Sequence, residues 1–407
     1  MGMTDAIGEP ARQTPVVEDV DVLVAGSGPA GIAAALAAAR EGAQTVLVER
    51  YGYLGGMITG ANVVAILGAG DGKAAKARGI TREIRDRLER LDAAKPLRCG
   101  DYQVDAEVFK WQAAEMLLEA GAKIRLHALA CAPILEDGRV TGAFVESKSG
   151  RQAIRASVTV DATADADLAF RAGCACDDET HEVTLGIQID GVDRGKIAAF
   201  ARESPDEYRA VVKEATRLNG GVMLGKKRLL KGIDVADATA LTQAEIQLRQ
   251  ECFDALVNLK AHLPGYEAAR VAATCPQLGV RQGRRIRGAY VLKNDDLESS
   301  RHFDDGIARL GAYFPDWGPI CAIEGLDYDV PYRCLVPETI DGLLVAGRCV
   351  SCDYTACNTL RLIVPCFATG QAAGCASAIA VRDACAPRRV SVEKLRVALL
   401  KQDVYLG

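Results

Sequence analysis

VDVLVAGSGPAGIAAALAAAREGAQTVLVER, residues 20–50, is the stretch that decides the fold. Val20 to Ala25 is a short apolar run of buried-strand type. Gly26-Ser27-Gly28-Pro29-Ala30-Gly31 follows as a tight turn. Ile32 to Arg40 is alanine-rich and helical, with Gly42 as its stop, and Thr45 to Glu49 reads as a second buried strand. Strand, helix and strand make a βαβ unit with a right-handed crossover. Each glycine has a task in such a unit. Gly26 makes the turn, Gly28 lets the backbone approach a pyrophosphate, and Gly31 lets the helix pack on the strand. The helix start offers free N–H groups and a partial positive charge to that anion. Pro29 stands where its missing N–H costs nothing. Glu49 ends the second strand, where a carboxylate can accept both ribose hydroxyls. Glycines, Pro29, Ala30 and Glu49 together read as a dinucleotide site rather than as a glycine-rich turn between buried elements.

Outward from this unit, Gly52 to Gly72 is glycine-rich and loop-like. Ile80 to Leu91 and Asp105 to Ala120 read as helices, and Lys123 to Ala130 as a strand. Ala132–Leu135, Arg139–Glu146 and Gln152–Val158 alternate with turns at Asp137-Gly138 and Ser149-Gly150, a β-meander. Val158 to Ala162 reads as a further buried strand. Residues 183–325 change texture. They mix short strands with charged helices, notably Asp206–Leu218 and Thr242–Leu259. Leu343 to Gly347 returns to a buried strand, before a helix of small residues from about Ala368 to Arg382. The expected organisation is a nucleotide domain in two parts, 18–182 and 326–385, around a substrate domain at 183–325, with a helix or tail at 386–407. Residues 1–17 read as a mobile tail.

The glycine motif alone does not separate FAD from NAD. Arg50 beside the ribose acid, the Gly55-Gly56 loop before Met57, the meander and the late strand ending at Gly347 favour FAD. The sequence resembles the FAD-dependent oxidoreductase family of glutathione-reductase-like fold. The resemblance rests on Glu49-Arg50-Tyr51-Gly52-Tyr53-Leu54-Gly55-Gly56, on Asp161-Ala162-Thr163, and on residues 278–288 and 330–337. It continues through Leu344-Val345-Ala346-Gly347-Arg348-Cys349-Val350-Ser351 and Gly370-Gln371-Ala372-Ala373-Gly374. It implies an α/β Rossmann FAD-binding domain with a meander and a second α+β substrate domain. It also implies extended FAD, with adenosine at Gly26 to Glu49 and the isoalloxazine near 347–372, so that Thr163, Gly347, Arg348, Gly370, Gln371 and Ala372 join the cofactor site. The sequence departs from the family pattern at Ala164-Asp165, at Arg281-Gln282-Gly283-Arg284-Arg285, and at Cys352, Asp353, Tyr354 and Cys357.

Other chemistry-bearing residues fall near these motifs. Cys349-Val350-Ser351-Cys352 has the spacing of a redox dithiol, against the plainer reading of small buried hydrophobes. His127, His181, His262 and His302 show no catalytic pattern, and His181 reads as part of a solvated acidic loop. No metal site is expected. Arg281, Arg284, Arg285 and Arg287 form a basic cluster suited to a carboxylate or phosphate. In a strand, Arg281, Arg285 and Arg287 would share one face and need an anionic substrate or acids such as Asp295 and Asp296. Arg285, Tyr332, Tyr354 and Arg361 are the candidate catalytic residues.

Forty-nine Lys and Arg against 54 Asp and Glu leave a net charge of -5, which argues against a nucleic-acid partner. The first residues lack an apolar secretory segment, and the 14 cysteines read as free thiols of a reducing cytoplasm. Val20–Ala39 and Val364–Val381 are apolar, but glycine and proline interrupt both, so they read as core elements rather than membrane spans. The expected function is hydride transfer between FAD and a small organic substrate, anionic if the arginine cluster meets it, as a dehydrogenase or oxidase. The alternatives are a flavin monooxygenase and a nucleotide-binding regulatory or scaffold protein. Only one glycine triplet of this kind occurs, so a stable NAD(P)H site is not expected.

Overall fold

The apolar run at 20–25 lies within a longer strand, β1 (Val16–Ala25), of a computed structural model. The structure describes residues 7–68, 76–97, 100–177, 179, 181–218, 230–314, 321–322 and 326–407. Two residues of the expected tail, Val16 and Val17, therefore belong to the sheet. Helix α1 (Pro29–Arg40) follows the glycine turn and leads into β2 (Thr45–Val48), which pairs with β1 in parallel. The register runs from Val22 opposite Thr45 to Ala25 opposite Val48.

Beyond β2 lies β3 (Lys123–Arg125), also parallel. The single strand expected at 123–130 is broken there. His127 adopts φ 57°, which turns the chain, and the next strand starts at Leu129. That strand, β4 (Leu129–Glu136), forms an antiparallel meander with β5 (Arg139–Ser147) and β6 (Gly150–Asp161). β6 is one continuous strand of 12 residues rather than two. Its first half pairs with β5, while its second half pairs with β7 (Leu343–Val345). On its other edge β6 runs parallel to β1 for nearly its whole length. The order β3-β2-β1-β6-β5-β4, with β7 beside β6, is a Rossmann-type α/β sheet of seven strands among the described residues. The late strand thus closes the nucleotide unit, as the sequence reading expects.

Three further helices complete this unit: α2 (Tyr354–Leu360), α3 (Ile363–Arg382) and α4 (Val392–Lys401). α3 begins five residues before the expected Ala368, because Pro365 falls in the first turn, where no N–H is required. Small residues let α3 lie against α1. A Cβ on Gly370 would come within 2.1 Å of Ala30 O, and one on Gly374 within 2.2 Å of Ala34 O. α3 is long and apolar enough to cross a membrane, but 94% of its apolar window is buried in the fold, as in a core helix. α4 is not a loose tail: Leu395 and Leu399 are buried in the main core.

The middle region consists of short antiparallel pairs. His181–Thr184 lies between Leu230–Ile233 and Gly279–Val280, and Ile187–Asp190 pairs with Arg270–Thr274. Cys176–Asp177 pairs with Arg285–Ile286, so this pairing starts before the expected boundary at residue 182. The helix expected at 242–259 spans Ala238–His262, because Asp237 caps it by accepting from Thr239 N–H. Residues 69–72 of the expected glycine-rich loop lie outside the described residues. Within the rest of that loop, Met57–Gly60 forms a helical turn and Ala65–Ile66 a short strand.

Candidate active site

Four backbone segments converge on the start of α1. A Cβ on Gly26, at φ +97°, would lie 2.4 Å from Ala162 O. One on Gly31 would lie 1.8 Å from Gly26 O, and one on Gly56 would lie 2.7 Å from Gly28 Cα. Gly347, at φ +89°, sits so that a Cβ would touch that of Ala30 at 3.0 Å. Gly55 N–H donates to Ser27 O at 2.9 Å. Gly28 is the contrast: a Cβ there would meet nothing within 4 Å. The open space above Gly28 faces the first turn of α1, ahead of its first backbone bond from Ile32 N–H to Gly28 O. Such a helix end suits an anion.

Glu49 closes one side of this cradle and is only 8% exposed. Its Oε2 accepts from Ser27 N–H and Oγ, and its Oε1 accepts from Tyr51 N–H at 2.9 Å. Arg50 lies over the Tyr51 ring at 4.8 Å. Thr163 is held by Asp161, which is fully buried. Asp161 accepts from Thr163 N–H and Oγ1 and from Leu168 and Ala169 N–H. The Asp-Ala-Thr motif therefore shapes the loop under Gly26. Gly28, Glu49 and the α1 start fit an FAD adenosine and pyrophosphate. Two expected cofactor residues have other duties. Gln371 Oε1 accepts from Ile80 N–H at 3.1 Å and its Nε2 donates to Gln402 Oε1 at 3.1 Å, so the side chain joins helix ends. Arg348 donates to Ala164 O, Val280 O and Asp165 Oδ1, clamping the loop after β6 to the middle region.

The arginine cluster differs from the expected strand face. Only Arg285–Ile286 is strand, so the side chains do not alternate over the whole motif. Each guanidinium meets an acid from residues 167–182 instead of Asp295 or Asp296. Arg281 pairs with Glu182 at 3.6 Å, Arg284 with Asp167 at 2.6 Å, and Arg287 with Asp177 at 3.0 Å. Buried Arg285 donates to Cys352 O at 3.2 Å and Glu179 at 3.2 Å. Asp296 serves Arg301 and Tyr290.

Arg285 approaches the ring of Tyr354 at 5.8 Å. Tyr354 opens α2, and its ring stacks with His181 at 6.4 Å. Arg361 ends the same helix. Three of the four candidate catalytic residues thus lie along α2 and the arginine segment. Tyr332 does not join them. Its buried hydroxyl donates to Pro387 O at 2.8 Å, and it lines a separate surface cleft with Phe303 and Val390.

His181 was not a candidate from sequence, yet it is 2% exposed and neither ring nitrogen has a hydrogen-bond partner among the described residues. Burial, then the charge of Arg285, lowers its pKa below the ordinary value, which favours neutral imidazole. The alternation of His181, Val183 and Leu185, all buried, is a strand signal that could have located it. Its neighbours Asp178 and Thr180 lie outside the described residues.

Cys349 and Cys352 do not pair. Cys349 Sγ donates to Ala346 O, whereas the Cys352 thiol hydrogen-bonds that of Cys357. That bond lowers the Cys357 pKa, as do the charges of Arg285, Arg361 and Arg348, while burial opposes them. Among the described residues there is no disulfide and no metal-ligand cluster.

A digeranylgeranylglycerophospholipid reductase of Methanosphaerula palustris is 29% identical over 242 residues, covering 53% of this chain and 58% of that protein. A thiamine thiazole synthase of Aeropyrum pernix is 34% identical over 126 residues, covering 31% and 43%. The chain thus spans about half the length of the curated relatives it matches. The solved structure of BexE, whose study concerns oxidation during BE-7585A biosynthesis, has a TM-score of 0.50 at 15% identity, covering 94% of this chain and 66% of that one. This likeness is one of fold. Residues 21–399 match a single family over nearly the whole chain, and the chain belongs to it: this is an FAD dependent oxidoreductase.

Proposed function

We propose that this enzyme transfers a hydride equivalent between FAD and a small organic substrate that binds beside α2, on a glutathione-reductase-like fold. Arg348 is the observation that carries the reading. Its one guanidinium bonds Ala164 O and Asp165 on the nucleotide side and Val280 O on the middle-region side. The start of the arginine segment is thereby fixed against the loop that follows the nucleotide sheet.

FAD supplies hydride acceptance and return when bound. The chain's own residues bind and orient. Glu49 receives the ribose hydroxyls, and the start of α1 receives the pyrophosphate above Gly28. His181, neutral and without a partner on either nitrogen, can accept or give a proton at the substrate. Arg285 is committed to Cys352 O and Glu179, so it positions the Tyr354 ring rather than binding substrate itself. The free thiols are in keeping with a cytoplasmic setting.

The test is anaerobic bleaching of the flavin absorbance by a panel of alcohols, amines and saturated acids. Bleaching by one class without oxygen is the expected result. A requirement for both NAD(P)H and oxygen, with an oxygen atom appearing in product, would overturn it in favour of a monooxygenase.

A further inference from the structure

Arg361, half-buried, is the exception among the arginines of this region. Arg284, Arg285 and Arg348 are buried, and each has a carboxylate partner: Asp167, Glu179 and Asp165. The Nε and Nη2 atoms of Arg361 are shielded from solvent and reach no acceptor among the described residues. The ring of Phe314 lies 5.8 Å from its guanidinium. Burial, and the nearby positive charge of Arg348, pull its pKa below the ordinary value. A charge taken out of water without a counter-ion is strongly disfavoured.

The unpartnered edge is informative. Elsewhere in this chain the same two atoms hold a carboxylate side-on. Arg333 donates from Nε and Nη2 to Asp305 at 2.9 and 3.1 Å, and Arg309 does so to Asp329 at 2.7 and 3.2 Å. Two parallel N–H groups match two carboxylate oxygens, which is the geometry arginine provides and lysine does not. On Arg361 that edge is ready-made and unused.

Position links this edge to the proposed substrate region. Arg361 and Tyr354 are roughly two helical turns apart along α2, hence on one face and separated by about 10 Å at 1.5 Å per residue. Gln282 reaches the same face, donating to Tyr354 O at 3.3 Å and Asn358 Oδ1 at 2.8 Å. The face runs from Tyr354, 48% exposed, to the half-buried Arg361. The FAD pyrophosphate has its own place at the start of α1. We propose that Arg361 is the receptor for a carboxylate carried by the substrate, held bidentately through Nε and Nη2. This rests on the reading that a small organic substrate binds beside α2.

The test uses FAD-loaded protein, with sodium benzoate as the anionic probe and benzamide as its neutral counterpart, read by calorimetry and by thermal melting. Wild type should bind benzoate at least tenfold more tightly than benzamide. Arg361→Met should lose that preference, keep its FAD, and melt at a higher temperature than wild type when no anion is present, because an uncompensated buried charge is gone. Arg361→Lys should retain part of the preference. Equal affinity of wild type and Arg361→Met for benzoate would overturn the assignment. So would a lower melting temperature for Arg361→Met without anion, or loss of FAD from it, since either would give the guanidinium a structural or cofactor role. Failure of the hydride-transfer reading would show separately, as oxygen-dependent chemistry with benzoate binding intact.

Discussion

Glu49 Oε2 accepts two hydrogen bonds from one residue, Ser27: from its backbone N–H at 2.8 Å and its hydroxyl at 2.7 Å. The acid that follows β2 thus braces the glycine turn. A hydrogen bond to a charged group contributes about 1.5–3 kcal/mol. Glu49→Ala is expected to weaken FAD binding by roughly 10- to 100-fold, at about 1.4 kcal/mol per tenfold. Fluorescence titration of the apoprotein with FAD checks this, and unchanged affinity would remove Glu49 from the site.

Gly28 and Gly31 should fail in different ways. Gly28 has φ -65° and open space where a Cβ would go, so Gly28→Val should fold like wild-type apoprotein but no longer retain FAD. At Gly31 a Cβ would collide with Gly26 O, so Gly31→Val should destabilise the apoprotein by about 3 kcal/mol or more. Thermal melts of both apoproteins separate the two. Equal melting temperatures would contradict the geometry of the turn.

His181 should make stability depend on pH. Its folded-state pKa is lowered from the ordinary 6.5, so below that pH the unfolded chain binds a proton that the folded chain resists. Stability should therefore be fully present above pH 6.5 and fall as the pH drops below it. Urea unfolding at a series of pH values, compared with His181→Leu, measures this. The variant should show a flatter profile, and identical slopes would refute the assignment.

Arg285→Ala should act on stability. The guanidinium holds Cys352 O, Glu179 and Gln282, and Glu179 is partly exposed, so the loss should be about 2 kcal/mol. FAD content should stay near wild type. Chemical unfolding with flavin absorbance as a second readout checks both. An unchanged midpoint would show that these bonds contribute nothing net.

Cys349, Cys352 and Cys357 are buried, and Ellman's reagent should reach them only after denaturation. Cys352→Ser should keep FAD and most turnover, because a hydroxyl can donate to Cys357 in place of the thiol. A hundredfold loss with FAD still bound would instead make the pair an electron relay.

The βαβ unit, the turn at Gly26, the close packing at Gly31, the position of Glu49 after the second strand, the meander with its Asp137-Gly138 turn, and the late strand before a helix of small residues were all legible in the sequence. Each depends on backbone conformations and periodicities set by residues close along the chain. The tertiary structure alone decided which acids neutralise Arg281 to Arg287, because Asp167 to Glu182 reach them only when two distant segments close on each other. It also decided that His181 is buried, that Tyr332 bonds Pro387, that Cys352 meets Cys357, and that Nε and Nη2 of Arg361 reach no acceptor among the described residues. Charge compensation and burial belong to pairs of surfaces, and no local pattern records which surface a side chain will meet.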